Sequence, residues 1–293
     1  MLPAVNPLRD RLYREYPEIF PRVFRVDPST RSIEQFSDIS GVGLAQQIDE
    51  GAPVRTDTPL QGFSGTFTHT KHGLSIPITR ETVADDKMGL VKKMIRSLVR
   101  SIKETREYRA VSHLNNAFDA SGFPGPDGKA LCSATHPLYK SGGVQSNLLA
   151  VAADMDVASI QLMLTMFHTM KDPAGLFWNV PAKNIIYHPD NEFNAIEILD
   201  SKMRSDTANH TTNALNEWRD GKLNRINYRH LSDPDAWFIS ADPEDTGLIW
   251  YDREKPYKDR WYDELGEVMY EIMRYRAVSG FENFNGIAGT PGA

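Results

Sequence analysis

The sequence predicts an α+β fold in which extended segments accompany a compact body. Three observations support this class. Prolines crowd the first 60 residues, apolar residues then alternate with a period of two, and a long helical pattern follows before shorter helices and strands. The chain has 293 residues, of which 40% are hydrophobic and 25% charged, so it can bury a core without disulfides.

Composition excludes several classes of protein and site. Cys132 is the only cysteine, which excludes a disulfide scaffold and any Cys-x-x-Cys zinc site. The formal net charge of −6 argues against a free-standing nucleic-acid-binding protein, which would be basic overall. Because no apolar run has the length of a signal peptide or a bilayer span, we expect a soluble cytoplasmic protein without membrane contact.

Residues 1–50 are predicted to form an N-terminal arm rather than a domain. Seven prolines lie between residues 1 and 60, and each removes a backbone donor that a sheet or a long helix would need. Aromatic residues such as Phe20 and Phe24 nevertheless call for a surface to lie on. The arm could cross its own domain as a strap or lie over a neighbouring subunit.

Residues 51–80 are predicted to form an extended hairpin loop. Apolar residues alternate from Leu74 to Ile78, and His72-Gly73 stands where a turn would reverse the chain. Phe63 and Phe67 provide apolar side chains on the first strand. Because a lone two-stranded hairpin is marginal in water, we expect this one to need a partner surface.

Val83 to Asp119 is the strongest helix signal in the chain. It contains no proline, and its apolar residues recur at helical spacing. Unbroken, the helix would be about 55 Å long, more than the ~50 Å diameter of a compact chain of this size. We therefore expect a break near Gly89 or between Lys103 and Glu107, or a flat, elongated subunit.

This helix also carries a cluster of positive charge. Between residues 87 and 109 there are eight basic and two acidic residues. Lys92, Arg96, Arg100 and Lys103 fall within roughly 80° of one another on a helical wheel. Three interpretations remain open, namely a solvated helix face, contacts with phosphates of enclosed nucleic acid, and salt bridges to acidic stretches of another subunit.

A loop that follows the helix carries a recognisable motif, DGKALCSATHPL at residues 127–138. Further motifs keep a characteristic order around it: ITRETVADD at 78–86, PAKNIIYHP at 181–189, WFISAD at 237–242 and TGLIWY at 246–251. From about residue 50 to 280 the sequence resembles the major capsid proteins of tailed bacteriophages with the HK97-type fold, particularly the Mu-like head-subunit group. It departs from their pattern at Cys132, where an aromatic residue is common.

The resemblance implies a division of the chain into named parts. They are an N-terminal arm (1–50), an extended loop (51–80), a peripheral domain with a spine helix (81–150), an axial domain (151–260), and a return to the peripheral domain with the C-terminal tail (261–293). The composition of the tail from Gly286 to Ala293, which has few side chains to anchor it, separately predicts that it is flexible. It also implies self-assembly through pentamers and hexamers into an icosahedral shell around double-stranded DNA. The virion would be assembled in the bacterial cytoplasm, with portal, scaffolding and decoration proteins as further candidate partners.

Five residues are predicted to contact neighbouring subunits: Phe20, Phe24, Phe63, Phe67 and Lys71. Lys71 is the only lysine between residues 51 and 80, and it stands near the predicted hairpin tip. Some shells of the family that the chain resembles link such a lysine covalently to an asparagine of a neighbour. Nothing in the sequence selects that asparagine.

Two other functions stay open as alternatives. One is an encapsulin-like nanocompartment shell with the same fold, which would enclose a cargo enzyme in place of a genome. The other is a soluble hydrolase that uses Cys132 and His136, because a thiol beside an imidazole can act as a nucleophile. Four residues of separation in a Gly- and Pro-bounded loop fix no geometry, so we expect no enzyme activity and no catalytic, cofactor or metal site.

Overall fold

The computed structural model describes residues 16–85, 88–202, 212–216 and 222–293. Within these residues there are two four-stranded sheets and two hydrophobic cores. The first core joins the first sheet and the long helix to one face of the second sheet, through residues such as Ile186 and Phe238, and the second core covers the other face of the second sheet. The strands are β1 (Arg25–Pro28), β2 (Ile33–Ile39), β3 (Gln61–Thr68), β4 (Thr70–Thr79), β5 (His136–Pro137), β6 (Val144–Gln145), β7 (Asn184–Tyr187), β8 (Asn224–Asn227), β9 (Trp237–Ser240), β10 (Leu248–Asp263), β11 (Val268–Phe281) and β12 (Ile287–Thr290). The helices are α1 (Arg80–Ala84), α2 (Met88–Asn115), α3 (Val157–His168) and α4 (Glu192–Asp200).

The first sheet joins strands from both ends of the chain in the order β1-β10-β11-β4. β1 runs parallel to β10, whereas β10, β11 and β4 are antiparallel neighbours. The apolar side of α2 packs in the same core as Trp250 and Tyr275 of this sheet; its buried residues there include Ile95, Leu98 and Ile102. We refer to this sheet and α2 as the peripheral body, after the predicted domain to which they correspond.

The N-terminal segment crosses its own body as a strap, residues 16–24. Phe20 and Phe24 are both 0% exposed, and the Phe20 ring lies 4.6 Å from that of Trp250. The prediction that these two phenylalanines contact a neighbouring subunit is therefore wrong, because the single chain already buries them. Residues 1–15 of the predicted arm lie outside the described residues.

The predicted long helix is divided near its start. α1 begins at the Thr79 cap, whose hydroxyl accepts from the Thr82 amide, and ends at Ala84. α2 then runs for 28 residues, about 42 Å, with Gly89 in its first turn. The predicted break near Gly89 is confirmed in position, and the helix continues through 103–107. Lys87 lies outside the described residues.

The predicted hairpin has a different partner and a different turn. β3 pairs with β2, β4 pairs with β11, and His69 separates β3 from β4. His72-Gly73 lies inside β4, so the predicted reversal there is wrong. Alternation with a period of two identified the strands but could not identify the strands that they pair with. β2 and β3 form a two-stranded sheet of their own, which with its connecting loop spans residues 33–68.

The second sheet has the order β12-β9-β7-β8 and shares the second core with α3 and α4; we refer to these elements as the axial unit, after the predicted domain to which they correspond. A reciprocal capping box between Asp156 and Ser159 begins α3. The predicted axial boundary at residue 260 is too late, because β10 starts at Leu248 and belongs to the first sheet.

The C-terminal segment is ordered rather than free. All four residues of β12 are buried, and the strand pairs antiparallel with β9. The prediction of a flexible tail after Gly286 is therefore wrong for Ile287–Thr290, because small residues such as Gly289 let the strand lie against Phe238, where a Cβ would come within 2.5 Å of the ring. Across the part of the chain that the structure describes, no helix is both long and apolar enough to cross a bilayer.

Candidate assembly interface

The root of the β2–β3 hairpin is held by aromatic contacts within the chain. Phe67 stacks on Phe36 at 5.1 Å and lies 6.1 Å from Tyr251. Gly280 permits this approach, since a Cβ there would lie 2.2 Å from the Phe67 ring. Phe63 meets Tyr139 edge-on at 5.5 Å. Both predicted contact residues are thus half-buried in their own subunit, and their contact with another copy stays a prediction.

The loop between β2 and β3, residues 40–60, exposes apolar side chains. Leu44 is 82% exposed and Val54 76% exposed. Val42, Ile48 and Leu60 of the loop share this exposure to a lesser degree, as does Ile39 at the end of β2. Such a concentration of exposed aliphatic residues is typical of a surface that meets another protein.

Two residues of the loop between β5 and β6 fasten this exposed loop. The Lys140 ammonium donates to the Gly41 carbonyl at 2.8 Å and to Asp57 Oδ2 at 2.9 Å, and the Tyr139 hydroxyl donates to Asp38 at 3.0 Å. The Gly43 amide and then Lys140 lower the pKa of Asp57 by hydrogen bonding to its carboxylate. The loop is therefore presented in a defined shape.

The cationic face of α2 consists of Lys92, Lys93, Arg96 and Arg100, which are all exposed. Residues 92, 96 and 100 are four apart, so they lie on one side of the helix, away from the buried stripe. Among the described residues, none of these four side chains has an ion-pair partner within 4.0 Å. The face therefore keeps its positive charge available to an external anion.

Lys103 does not belong to this face, which corrects the prediction. Its side chain is 8% exposed and its ammonium donates to the Tyr16 carbonyl of the strap. Burial lowers its pKa, while the nearby Glu18 carboxylate opposes that change. The helical wheel placed Lys103 beside Arg100, but the strap covers this part of the helix.

Lys71 lies on β4, opposite Arg276 of β11, and is exposed. It is not at a hairpin tip, which is the position that the sequence suggested. Its covalent attachment to a neighbour stays a prediction.

Two further exposed apolar surfaces were not predicted from the sequence. On the axial unit, Leu162 of α3 is 64% exposed and Phe193 of α4 is 79% exposed. At the turn between β10 and β11, Leu265 is 100% exposed. Apolar residues at helical spacing usually indicate a core, so periodicity gave no signal for the first surface.

The loop that carries the DGKALCSATHPL motif has a structural network at its centre. His136 is fully buried, with Nδ1 2.6 Å from Asp127 and Nε2 3.1 Å from Asn147. The Asn147 amide donates to the Leu131 carbonyl at 2.8 Å and to the Ile287 carbonyl at 3.1 Å. The network thereby ties the motif loop to the C-terminal strand.

The geometry of Cys132 and His136 does not favour their use as a nucleophile and its base. Both nitrogens of His136 have oxygen partners other than Cys132. The thiol is 2% exposed, and burial raises its pKa, which disfavours the reactive thiolate. In the described part of the chain, no cluster of three His, Cys, Asp or Glu side chains could hold a metal ion.

Comparison with protein families and solved structures places these surfaces in context. A family model described as phage capsid protein matches residues 64–288. No curated protein matches the sequence.

Three solved structures are similar in fold. A chain from Mycobacterium phage Bobi gives a TM-score of 0.59 at 9% identity, covering 94% of this chain and 90% of that one. The procapsid of bacteriophage JBD30 gives 0.53 at 14% identity, with coverage of 98% and 73%. The capsid of an empty GTA particle gives 0.59 at 8% identity, with coverage of 93% and 88%.

Proposed function

Because this chain belongs to the phage capsid protein family, we propose that the shell it forms is the head of a tailed phage and encloses double-stranded DNA. The chain is a major capsid protein with the HK97-like fold, and its copies assemble into that shell. Its membership of the Mu-like group stays a prediction. Assembly in the bacterial cytoplasm, through pentamers and hexamers and with portal, scaffolding and decoration proteins, belongs to the same proposal.

The observation that supports enclosed DNA is the cationic face of α2. The whole chain is acidic, at −6, yet Lys92, Lys93, Arg96 and Arg100 stand together without carboxylate partners among the described residues. A solvated face of this kind binds phosphates by releasing their condensed counterions, with no need for base-specific contacts.

We also propose that the protein has no enzyme activity. The buried thiol of Cys132 and the engagement of His136 with Asp127 and Asn147 support this. The family match favours a phage head over a nanocompartment as the shell.

The DNA proposal is tested by the salt dependence of binding. Purified subunits are titrated with a 30-base-pair duplex at several salt concentrations, for the wild type and for the triple variant Lys92→Gln, Arg96→Gln, Arg100→Gln. Since each phosphate contact contributes about 0.9 to the slope of log K against log salt, the triple variant should lose up to ~3 units of slope.

A matched control removes three exposed cations elsewhere, through Arg31→Gln, Arg55→Gln and Lys71→Gln. It should keep the wild-type slope. Equal slopes for the wild type and the α2 variant, or an equal loss in the control, would refute the α2 face as the DNA contact. Negative-stain microscopy of the same preparations tests the shell itself, and a strictly monomeric sedimentation profile would contradict it.

A further inference from the structure

A cavity of about 340 Å³ lies where the β2–β3 hairpin joins the peripheral body. β3 and β4 contribute one side, the C-terminal part of α2 and residues 122–124 another, and β10 and β11 the floor. This volume lies within the range of ligand-binding pockets. None of the contacts described above fills the cavity with a side chain.

The walls of the cavity are aromatic, and its charge is positive. Phe67, Phe123 and Trp250 provide apolar surface. Arg109 contributes a positive charge to the lining of the cavity. Among the described residues, no Asp or Glu lines it. Among the described residues, Arg109 has no ion-pair partner within 4.0 Å, so its charge is available to an incoming anion.

His113 leaves a hydrogen-bond acceptor unused at this site. Its Nε2 lies 3.0 Å from Ser279 Oγ, and that hydroxyl lies 3.4 Å from the Arg109 carbonyl, which can only accept. The hydroxyl therefore donates to the carbonyl and accepts from Nε2–H. Burial lowers the pKa of His113 to about 4, so the ring is neutral and its Nδ1 is a buried acceptor with no partner among the described residues.

Tyr275 leaves a donor unused in the same cavity. Its side chain is fully buried, and Oη has no hydrogen-bond partner among the described residues. Burial raises the pKa of this phenol to about 12, so it keeps its proton. Because neither His113 Nδ1 nor Tyr275 Oη has accessible surface, the contacts of an occupant are limited to Arg109 and the aromatic walls.

These features define the chemistry of an occupant. A carboxylate would accept from Arg109, and an aliphatic side chain would pack against the aromatic walls. A peptide segment that carries an acidic residue beside an apolar one has both groups.

The turn between β10 and β11, residues 264–267, is such a segment. Its sequence is ELGE, with Leu265 wholly exposed next to the exposed Glu264. Within one subunit this turn cannot reach the cavity, because the seven strand steps from Val268 to Tyr275 alone hold it about 23 Å away. An occupant with this sequence must come from another copy.

We propose that the cavity receives the β10–β11 turn of a second copy, with Leu265 against the aromatic walls and the Glu264 carboxylate at Arg109. The contact joins two different surfaces, so each copy can accept one turn and offer another, as a continuous shell requires. The proposal rests on the assembly of copies into a shell.

A charge exchange tests the contact. Arg109→Glu and Glu264→Arg should each reduce the yield of shells about tenfold, and the double variant should recover most of that loss, because close charge pairs at interfaces couple strongly. Glu244→Arg, at an exposed acidic residue of the axial unit, is the control and should not rescue Arg109→Glu. Single variants without effect, a double variant without rescue, or rescue by the control would overturn the proposal.

Cross-linking gives an independent result. The only native cysteine is buried, so Leu265→Cys combined with Ser112→Cys places the reactive thiols at the turn and at the cavity. A short bismaleimide should link subunits within shells of the double variant but not of either single variant. If wild-type shells form but the double variant gives no cross-linked dimer, this contact is refuted and the capsid function is not affected. If wild-type protein forms no shells, the capsid function itself is contradicted.

Discussion

Arg106 of α2 and Asp252 of β10 form a buried, two-pronged ion pair. Nη1 lies 3.3 Å from Oδ1 and Nη2 lies 3.1 Å from Oδ2. The same guanidinium contacts Glu18 of the strap at 3.0 Å and stacks over the Phe20 and Trp250 rings at 5.2 Å. A single side chain thereby joins the strap, the long helix and the first sheet.

Replacing Arg106 should destabilise the subunit strongly. Arg106→Met keeps most of the volume but leaves Asp252 and Glu18 as buried carboxylates without their cation, at a cost of about 3–5 kcal/mol. Urea unfolding of the unassembled subunit measures it. Arg100→Met, at an exposed site on the same helix, should change stability by less than about 0.5 kcal/mol. Similar values for the two variants would contradict the role assigned to the pair.

Phe20→Ala tests whether the strap belongs to its own core. Because the ring is fully buried against Trp250, its removal should cost about 3–5 kcal/mol in the free subunit, before any assembly. Phe193→Ala is the control, since that ring is 79% exposed and should contribute little to folding. A free subunit that tolerates Phe20→Ala would return Phe20 to the list of contacts between copies.

His113 should make the subunit less stable in acid. Its folded pKa of about 4 lies below the ordinary 6.5, so between these values the unfolded chain binds more protons than the folded one. Stability from this group is complete above pH 6.5 and falls by about 3 kcal/mol as the pH drops to 4. His113→Gln should flatten the pH dependence of urea midpoints over this range. The opposite contribution of Glu18, whose pKa burial raises, is common to both proteins and cancels in the comparison.

Cys132→Ser should leave shell formation unchanged. The substitution is nearly isosteric, and the buried hydroxyl should cost about 1–3 kcal/mol if it finds no partner. Particle yield by microscopy and sedimentation measures the outcome. Loss of particles together with loss of a measurable hydrolytic activity would revive the hydrolase alternative.

Periodicity predicted the elements better than it predicted their neighbours. The alternation through Leu74 and Ile76 and the helical spacing after Gly89 correspond to β4 and α2. The partner strands were not predictable, because one residue, His69, separates two strands that join different sheets. Pairing depends on contacts between distant parts of the chain that a local pattern does not contain.

The candidate surfaces show the same limit. The aromatic residues of the strap indicated that it packs on a surface, either of its own body or of a neighbour. The contacts of Arg106 and Glu107 with the strap decide between the two, and the sequence did not show that these side chains face it. The Glu107 carboxylate accepts a hydrogen bond from the Ile19 amide. It accepts a second from the Tyr228 hydroxyl, at 2.7 Å. Leu162 stands in the sequence between the buried Ile160 and Met163 of α3, yet it is exposed, and no local pattern predicted that.

The parallel pairing of β1 with β10 also means that β1 cannot join its sheet until most of the chain has been synthesised. About 220 residues separate the two strands, and a ribosome adding ~5–20 residues per second needs roughly 10–45 s to pass from one to the other. During that interval Arg25–Pro28 has no strand to join and the strap has no Trp250 to cover. A nascent chain therefore lacks the finished body on which its assembly surfaces are mounted, and only released polypeptides are expected to enter a growing head.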